Sequence, residues 1–309
     1  MALSPEDHDP RLWPRAGHPH TAVRPAEKPL GAASPGWWNA RMDQAEALTL
    51  FDTQLRRLAP PESPTTRIDK SPGVLRQVGA GAHEWCGVVW SDLDETTADA
   101  AIAAQLRWLR EAPEAAGREF EWKTYSHDRP ADLGARLLAA GFEPEPAETL
   151  MIAEIDEVKA LTQDAALPPG VRLEPVTDAA GVDKAADVHE QAFGSSADRL
   201  RARMLDQVAH SADTVSIVMA MAGDVPVCAA RMELIPGTAF AGLWGGGTVK
   251  EWRGKGIYRA LVAHRARIAA DQGYRYLQVD ASEDSRPILQ RLGFAALSVT
   301  TPYLITAPA

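Results

Sequence analysis

The sequence predicts a mixed α/β protein: a central mixed β-sheet flanked by helices on both faces, built twice in tandem. Three observations point there. From Trp37 onward, strand-like and helical runs alternate, punctuated by glycine and proline. The later half reads β-α-α-β-β-β-α-β-α-β, an order that covers a mixed sheet on both sides. Residues 128–142 and 280–294 share one spacing, a strand end, a helix, then Gly-Phe, with Leu137 and Leu289 at equivalent positions. A chain of 309 residues is long enough for two cores.

Taken in order, residues 1–36 carry Pro5, Pro10, Pro14, Pro19, Pro25, Pro29 and Pro35 with little apolar periodicity, which reads as an extended arm. His8, His18 and His20 are read as solvated there, and no metal site is expected. Met42, Ala45, Leu48, Phe51, Leu55 and Leu58 recur at helical steps until Pro60-Pro61. Strands are expected over 67–78 and 83–90, turning at Gly79-Ala80-Gly81. A helix (97–111), a strand (120–126), a helix (131–140) closed by Gly141 and a strand (149–155) complete residues 37–158 as a first domain. Residues 159–170, ending in Pro168-Pro169-Gly170, read as a linker, and 171–309 as a second domain. Its elements are a strand (171–175), helices (179–193 and 197–208) and strands (214–221, 225–234, 239–249). A helix (257–272), a strand (274–281), a helix (286–292) and a strand (299–305) follow.

Chemistry concentrates between 245 and 259, Gly-Gly-Gly-Thr-Val-Lys-Glu-Trp-Arg-Gly-Lys-Gly-Ile-Tyr-Arg. A strand feeds this stretch and a helix leaves it. Glycines let backbone N–H groups face an open concavity, and a helix starting at Gly256 adds its unpaired first-turn amides. Arg253, Lys255 and Arg259 surround the same spot, so it reads as a cradle for a diphosphate. A P-loop is excluded because Gly256, not Ser or Thr, follows Lys255, and a dinucleotide fingerprint fails at Lys250. In the first half, Asp92-Leu93-Asp94-Glu95 stands where the second has Arg253-Gly254-Lys255-Gly256. Three carboxylates repel a diphosphate, so only the second half is expected to hold one.

Arg253-x-x-Gly256 followed by Ile257 resembles the acyl-CoA signature of the GNAT superfamily of N-acetyltransferases, and the element order over 171–306 resembles that fold. Tyr258 departs from the family's final Gly or Ala. The resemblance implies acetyl transfer from acetyl-CoA, as cosubstrate, to the amine of a small molecule or peptide by direct attack, with a degenerate first copy in structural support. It implies contacts to the cosubstrate from Gly247, Thr248, Val249, Arg253, Gly254, Lys255, Gly256, Ile257, Tyr258, Arg259 and Ser285. The Gly245–Gly247 run is expected to bulge, open a slot for pantetheine, and offer amides to an oxyanion. For the base, Glu233 on the preceding strand is the first candidate and Asp280 at a strand end the second. The family's acidic tyrosine position is Leu289 here, leaving Tyr258, Tyr303 or water. His189 and Glu190 face the acceptor side but read as solvated. A CoA-binding protein without catalysis, a sensor or interaction module, is the alternative.

A formal charge of −10 argues against a nucleic-acid binder. Cys86 and Cys228 lie in strand-like runs and read as buried small hydrophobes. No apolar run approaches membrane-spanning length, and no leader pattern opens the chain, so a cytoplasmic protein is expected. A monomer and a homodimer both fit.

Overall fold

The structure, a computed structural model, describes residues 42–63, 65–81 and 84–308. The proline-rich arm, its histidines and Trp37-Trp38 lie outside the described residues. The first half folds into α1 (Gln44–Phe51), β1 (Arg67–Ser71), β2 (Val74–Val78), β3 (Cys86–Ser91), α2 (Ala98–Glu111), β4 (Glu119–Tyr125), α3 (Leu133–Ala139), β5 (Glu143–Pro144), β6 (Glu148–Glu154) and α4 (Ile155–Leu161). The second gives β7 (Val171–Pro175), α5 (Ala179–Phe193), α6 (Asp198–His210), β8 (Val215–Ala222), β9 (Val225–Leu234), β10 (Phe240–Thr248), α7 (Ile257–Asp271), β11 (Tyr276–Ala281), α8 (Arg286–Gln290) and β12 (Ala295–Thr306). The expected single strand over 67–78 is a hairpin: Pro72 cannot donate to a ladder, and Gly73 turns the chain with φ +69°. Part of the expected linker is helical. Ile155 and Val158 in α4 are buried among Val262, Ala266 and Ala269 of α7, and that packing outweighs the polar look of the segment.

The strands join one twelve-stranded sheet in the order β1-β2-β3-β4-β12-β6-β11-β10-β9-β8-β7, with β5 paired to β12. Around the central β12–β6 pair this order is palindromic: β4 mirrors β11 and β3 mirrors β10. Both β3–β4 and β10–β11 are parallel, while the central pairs are antiparallel. Leu137 and Leu289 are both fully buried, and Gly141 and Gly293 share φ near +95° (97° and 93°), so the spacing repeated in the sequence is repeated in space.

The halves exchange their last strands. β6 pairs with β11 from Tyr276↔Glu154 to Ala281↔Thr149, and β12 pairs with β4 from Thr300↔Tyr125 to Thr306↔Glu119. The second half therefore does not close on its own final strand, as the sequence order had suggested. Each half would otherwise present an unpaired edge at this point, and exchange removes both. Side chains follow: Met151 and Ala153 of β6 lie in the core with Leu277, Val279, Leu289 and Phe294, while Tyr303 and Ile305 of β12 pack in the first half's core. A chain cut to residues 171–309 is consequently expected to lose cooperative unfolding or to self-associate through β11 and β12. A folded monomeric fragment by circular dichroism and sedimentation would contradict the exchange.

Candidate functional site

Beside the glycine run, β10 leaves its neighbour. β10 and β11 pair only at Phe240↔Tyr276, Ala241↔Leu277 and Gly242↔Gln278. On its other edge, β10 shifts register against β9 between Trp244 and Gly247, with Gly245 at φ +58°. This is the expected bulge, and beyond Gly242 it leaves a wedge between β10 and β11. Side chains would obstruct it: a Cβ on Gly246 would stand 2.8 Å from the Tyr258 ring, and one on Gly247 2.7 Å from Phe193.

At the mouth of the wedge, Gly254 and Gly256 take φ of +74° and +83°, and α7 begins. No side chain caps α7, and among the described residues no acceptor meets the backbone amides from Gly254 to Arg259. Such a row of free amides at a helix start is an anion site. Arg253 acts as a clasp, donating from Nε to the Thr248 carbonyl (3.0 Å) and from Nη2 to that of Ala192 (2.7 Å). The Lys255 ammonium lies over the Trp252 ring at 4.2 Å, and Arg259 donates to the Leu161 carbonyl at 2.7 Å. None of these three cations meets a carboxylate among the described residues. The Val249 and Ile257 side chains are core; the Val249 amide is used by the Val227 carbonyl, whereas the Ile257 amide belongs to the free row. Thr248 contacts Cys228 Sγ at 3.1 Å, burial pushes that thiol up to about 11, and both cysteines are free and buried. Ser285 sits at the start of α8, donating to the Ser282 carbonyl at 3.2 Å.

The first half shows the same corner closed from within. Asp94 Oδ1 accepts from the amides of Thr96 and Thr97 (2.9 Å each) and from both hydroxyls, just ahead of α2. Those hydrogen bonds, the Thr96 and Thr97 hydroxyls foremost, hold its carboxyl down at about 2. The copy thus carries its own anion where the second half leaves amides open. An Asp94→Ala chain is expected to melt lower than wild type at pH 7, with the difference fading as pH falls towards about 2, because a depressed carboxyl stabilises only while ionised. A pH-independent difference would contradict the assignment.

Both expected bases are committed elsewhere. Asp280 Oδ2 accepts from Lys123 Nζ of β4 at 2.6 Å, with the two side chains 5% and 19% exposed, which makes a junction between the halves. Glu233 accepts from Gln207 (2.8 Å) and Arg203 (3.3 Å) and lies 3.5 Å from Arg231. Burial alone raises the Glu233 carboxyl, but Arg231 and Arg203 outweigh it and hold the group below the usual carboxylate range. Leu289, at the family's tyrosine position, is core; of the two tyrosines that could replace it, Tyr303 packs on the first half's core and Tyr258 against the second's.

A cavity of about 240 Å³ opens instead between α5, α6 and the bulge, lined by His189, Arg231, Trp244 and Gly245 with Ala185, Leu200, Met204, Ile217 and Ala229. His189 Nδ1, Arg231 Nε and Trp244 Nε1, on residues that line it, are sealed from solvent and have no hydrogen-bond partner among the described residues. Reading the sequence placed His189 on a solvated face. Its signal was the i, i+4 step to Phe193, whose ring lies tilted against the imidazole with centroids 4.6 Å apart.

Residues 183–294 match the family model described as acetyltransferase (GNAT) family. This segment is similar to GNAT acetyltransferase domains. No curated protein sequence matches the chain. Among solved structures it is similar to a GCN5-related N-acetyltransferase from Kribbella flavida, with TM-score 0.59 and 16% identity over 86% of this chain and 96% of that one. A conserved protein of unknown function from Staphylococcus epidermidis gives 0.58 and 12%, over 78% and 94%. A tandem GNAT protein from the clavulanic acid biosynthesis pathway gives 0.51 and 16%, over 81% and 86%. These likenesses extend the GNAT fold over both halves, and the first half is consistent with a second GNAT copy.

Proposed function

We propose that the protein is an acyl-CoA-dependent N-acyltransferase, passing acetyl from acetyl-CoA to a primary amine of a small molecule or peptide. The observation that carries this is the row of free amides at 254–259, which stands beside the wedge between β10 and β11, with Gly245 at the bulge lining a cavity. The diphosphate lies on the amides, with Lys255 and Arg259 adding charge. Pantetheine runs along the exposed edge of β10 in the manner of an added strand. The thioester then meets the bulge, whose amides stabilise the oxyanion as the amine attacks. The acceptor enters from the cavity, and only the second half catalyses.

Thiol release from acetyl-CoA, followed over a panel of amines, tests the reading. Amine-dependent release is expected. Stoichiometric CoA binding with no release for any amine would favour the silent, CoA-sensing alternative, which draws support from Leu289 in place of an acidic side chain.

A further inference from the structure

The cavity against the bulge is walled mostly by hydrocarbon. Ala185 comes from α5, Leu200 and Met204 from α6, Ile217 from β8 and Ala229 from β9. Nitrogens on the other lining residues are largely withdrawn from it. Trp244 Nε1 lies over Gly242 beside Gln278 Nε2, the two atoms 2.8 and 2.9 Å from where a Gly242 Cβ would stand. His189 Nδ1 and Arg231 Nε are sealed from solvent, and Arg231 Nη1 is spent on Gln207 Oε1 at 3.0 Å. Burial lowers His189 below its ordinary value, with Glu190 opposing, so at pH 7 the imidazole adds a neutral ring to the wall.

Charge limits what can enter. Among the described residues no carboxylate lines the cavity. Those of the adjoining cluster are committed: Glu233 accepts from Gln207 and Arg203 and lies 3.5 Å from Arg231, and Glu62 lies 3.4 Å from Arg203. Burial outweighs the pull of Glu233 and pushes Arg231 down to about 10, so the wall already carries an under-compensated cation. A second cation enclosed beside it would find no partner, which a low-dielectric interior strongly disfavours. A hydrocarbon group meets no such penalty and gains from leaving water.

The cavity also has a direction. Gly245, at the bulge, is exposed, while Ala185, Met204 and Ile217 are buried. An amphipathic ligand therefore keeps its polar end at Gly245 and sends its apolar end inward, which leaves the nitrogen on the side of the bulge. Size sets a limit too. A dry cavity of roughly 150 Å³ accepts benzene. The volume here, about 240 Å³, accepts a phenyl ring with a short tether or a branched alkyl group.

We propose that the acceptor is an apolar monoamine, an alkylamine or arylalkylamine, with its nitrogen at Gly245 and its hydrocarbon group enclosed between α5, α6 and the sheet. The proposal rests on the acyltransferase reading and narrows its acceptor class. It excludes diamines and polyamines, which a chain of formal charge −10 would otherwise attract, because their second ammonium would be buried against Arg231.

Calorimetric titration of the full chain in the presence of CoA tests this with a homologous series from ethylamine to octylamine, alongside 2-phenylethylamine and 1,5-diaminopentane. Affinity should rise about 4-fold per methylene, the transfer value for burying one such group. The rise should stop at about five to seven carbons, where the cavity is full. 1,5-Diaminopentane should bind at least about 10-fold more weakly than pentylamine. Leu200→Ala removes wall and should carry the limit to longer chains, while Ala185→Leu fills space and should shorten it. Leu200 is only half-buried, so its variant keeps the test readable if the Ala185→Leu chain does not fold. Affinity independent of chain length, a rise with no limit up to octylamine, tighter binding of the diamine, or no binding by any amine overturns the proposal. So does a limit that neither variant moves. A length limit found with the acyl chains of acetyl- to hexanoyl-CoA and not with the amines would give the cavity to the acyl group, and overturn it equally. The length limit in a protein that fails to bind CoA would sink the enzyme reading and leave the cavity assignment standing. Amine-dependent thiol release without any such limit would do the reverse.

Discussion

Gly256→Glu abolishes acyl-CoA binding, with affinity expected to fall more than about 100-fold, or about 2.7 kcal/mol. The residue stands at φ +83° immediately before α7, where an L side chain is strained by about 1–2 kcal/mol. Strain alone is measured by Gly256→Ala, which should weaken CoA less than about 10-fold. The glutamate adds what Asp94 supplies in the first half, a carboxylate beside open helix-start amides, and repels a diphosphate there. Among the described residues only the Ala166 carbonyl, 3.8 Å from the added Cβ, is near, so far-ultraviolet circular dichroism should be unchanged. Titration with CoA reads the result. Equal losses in the alanine and glutamate chains would show that geometry, not charge, decides.

Lys123→Met should destabilise the whole molecule by about 3–5 kcal/mol. Lys123 meets Asp280 Oδ2 where the exchanged strands cross, the carboxylate is 5% exposed, and its Oδ1 has no partner among the described residues. Removing the lysine leaves a buried, unpaired charge. Burial opposes the lysine's charge, but Asp280 outweighs it and raises the group above its ordinary value. A raised cation stabilises fully below the unfolded lysine value of 10.5 and loses that contribution only as pH climbs through the folded one. The deficit should therefore be constant between about pH 5 and 9. Lys123→Met with Asp280→Leu should recover most of the loss, because an apolar pair replaces a buried ion pair at little cost. Denaturant unfolding measures all three chains, and a double variant no better than the single one would deny that the unpaired carboxylate is the cause.

How much of this was legible in the sequence follows from how local each cause is. The repeat was readable because Gly-Phe after a short helix is set by local turn chemistry, and Gly141 and Gly293 do share one conformation. The bulge at Gly245–Gly247 and the open amides before Ile257 were readable for the same reason. The strand exchange was not. Pairing of β6 with β11 joins residues over a hundred positions apart, and nothing in either strand's alternation names its neighbour. Asp280 and Glu233 misled in one way: a carboxylate at a strand end looks available until the partner arrives from elsewhere, Lys123 from the other half and Arg203 and Gln207 from α6. His189, Arg231 and Trp244 lie on three different elements, and their convergence exists only in the fold.

The central claim is that free amides at the start of α7 grip a diphosphate. A crystal structure grown with acetyl-CoA tests it most directly. Diphosphate oxygens within hydrogen-bond distance of amides between Gly254 and Arg259, with pantetheine along β10 and the thioester at the bulge, are the expected result. Acetyl-CoA seated in the first half near Asp94, or density nowhere along the wedge at saturating concentration, would contradict the account.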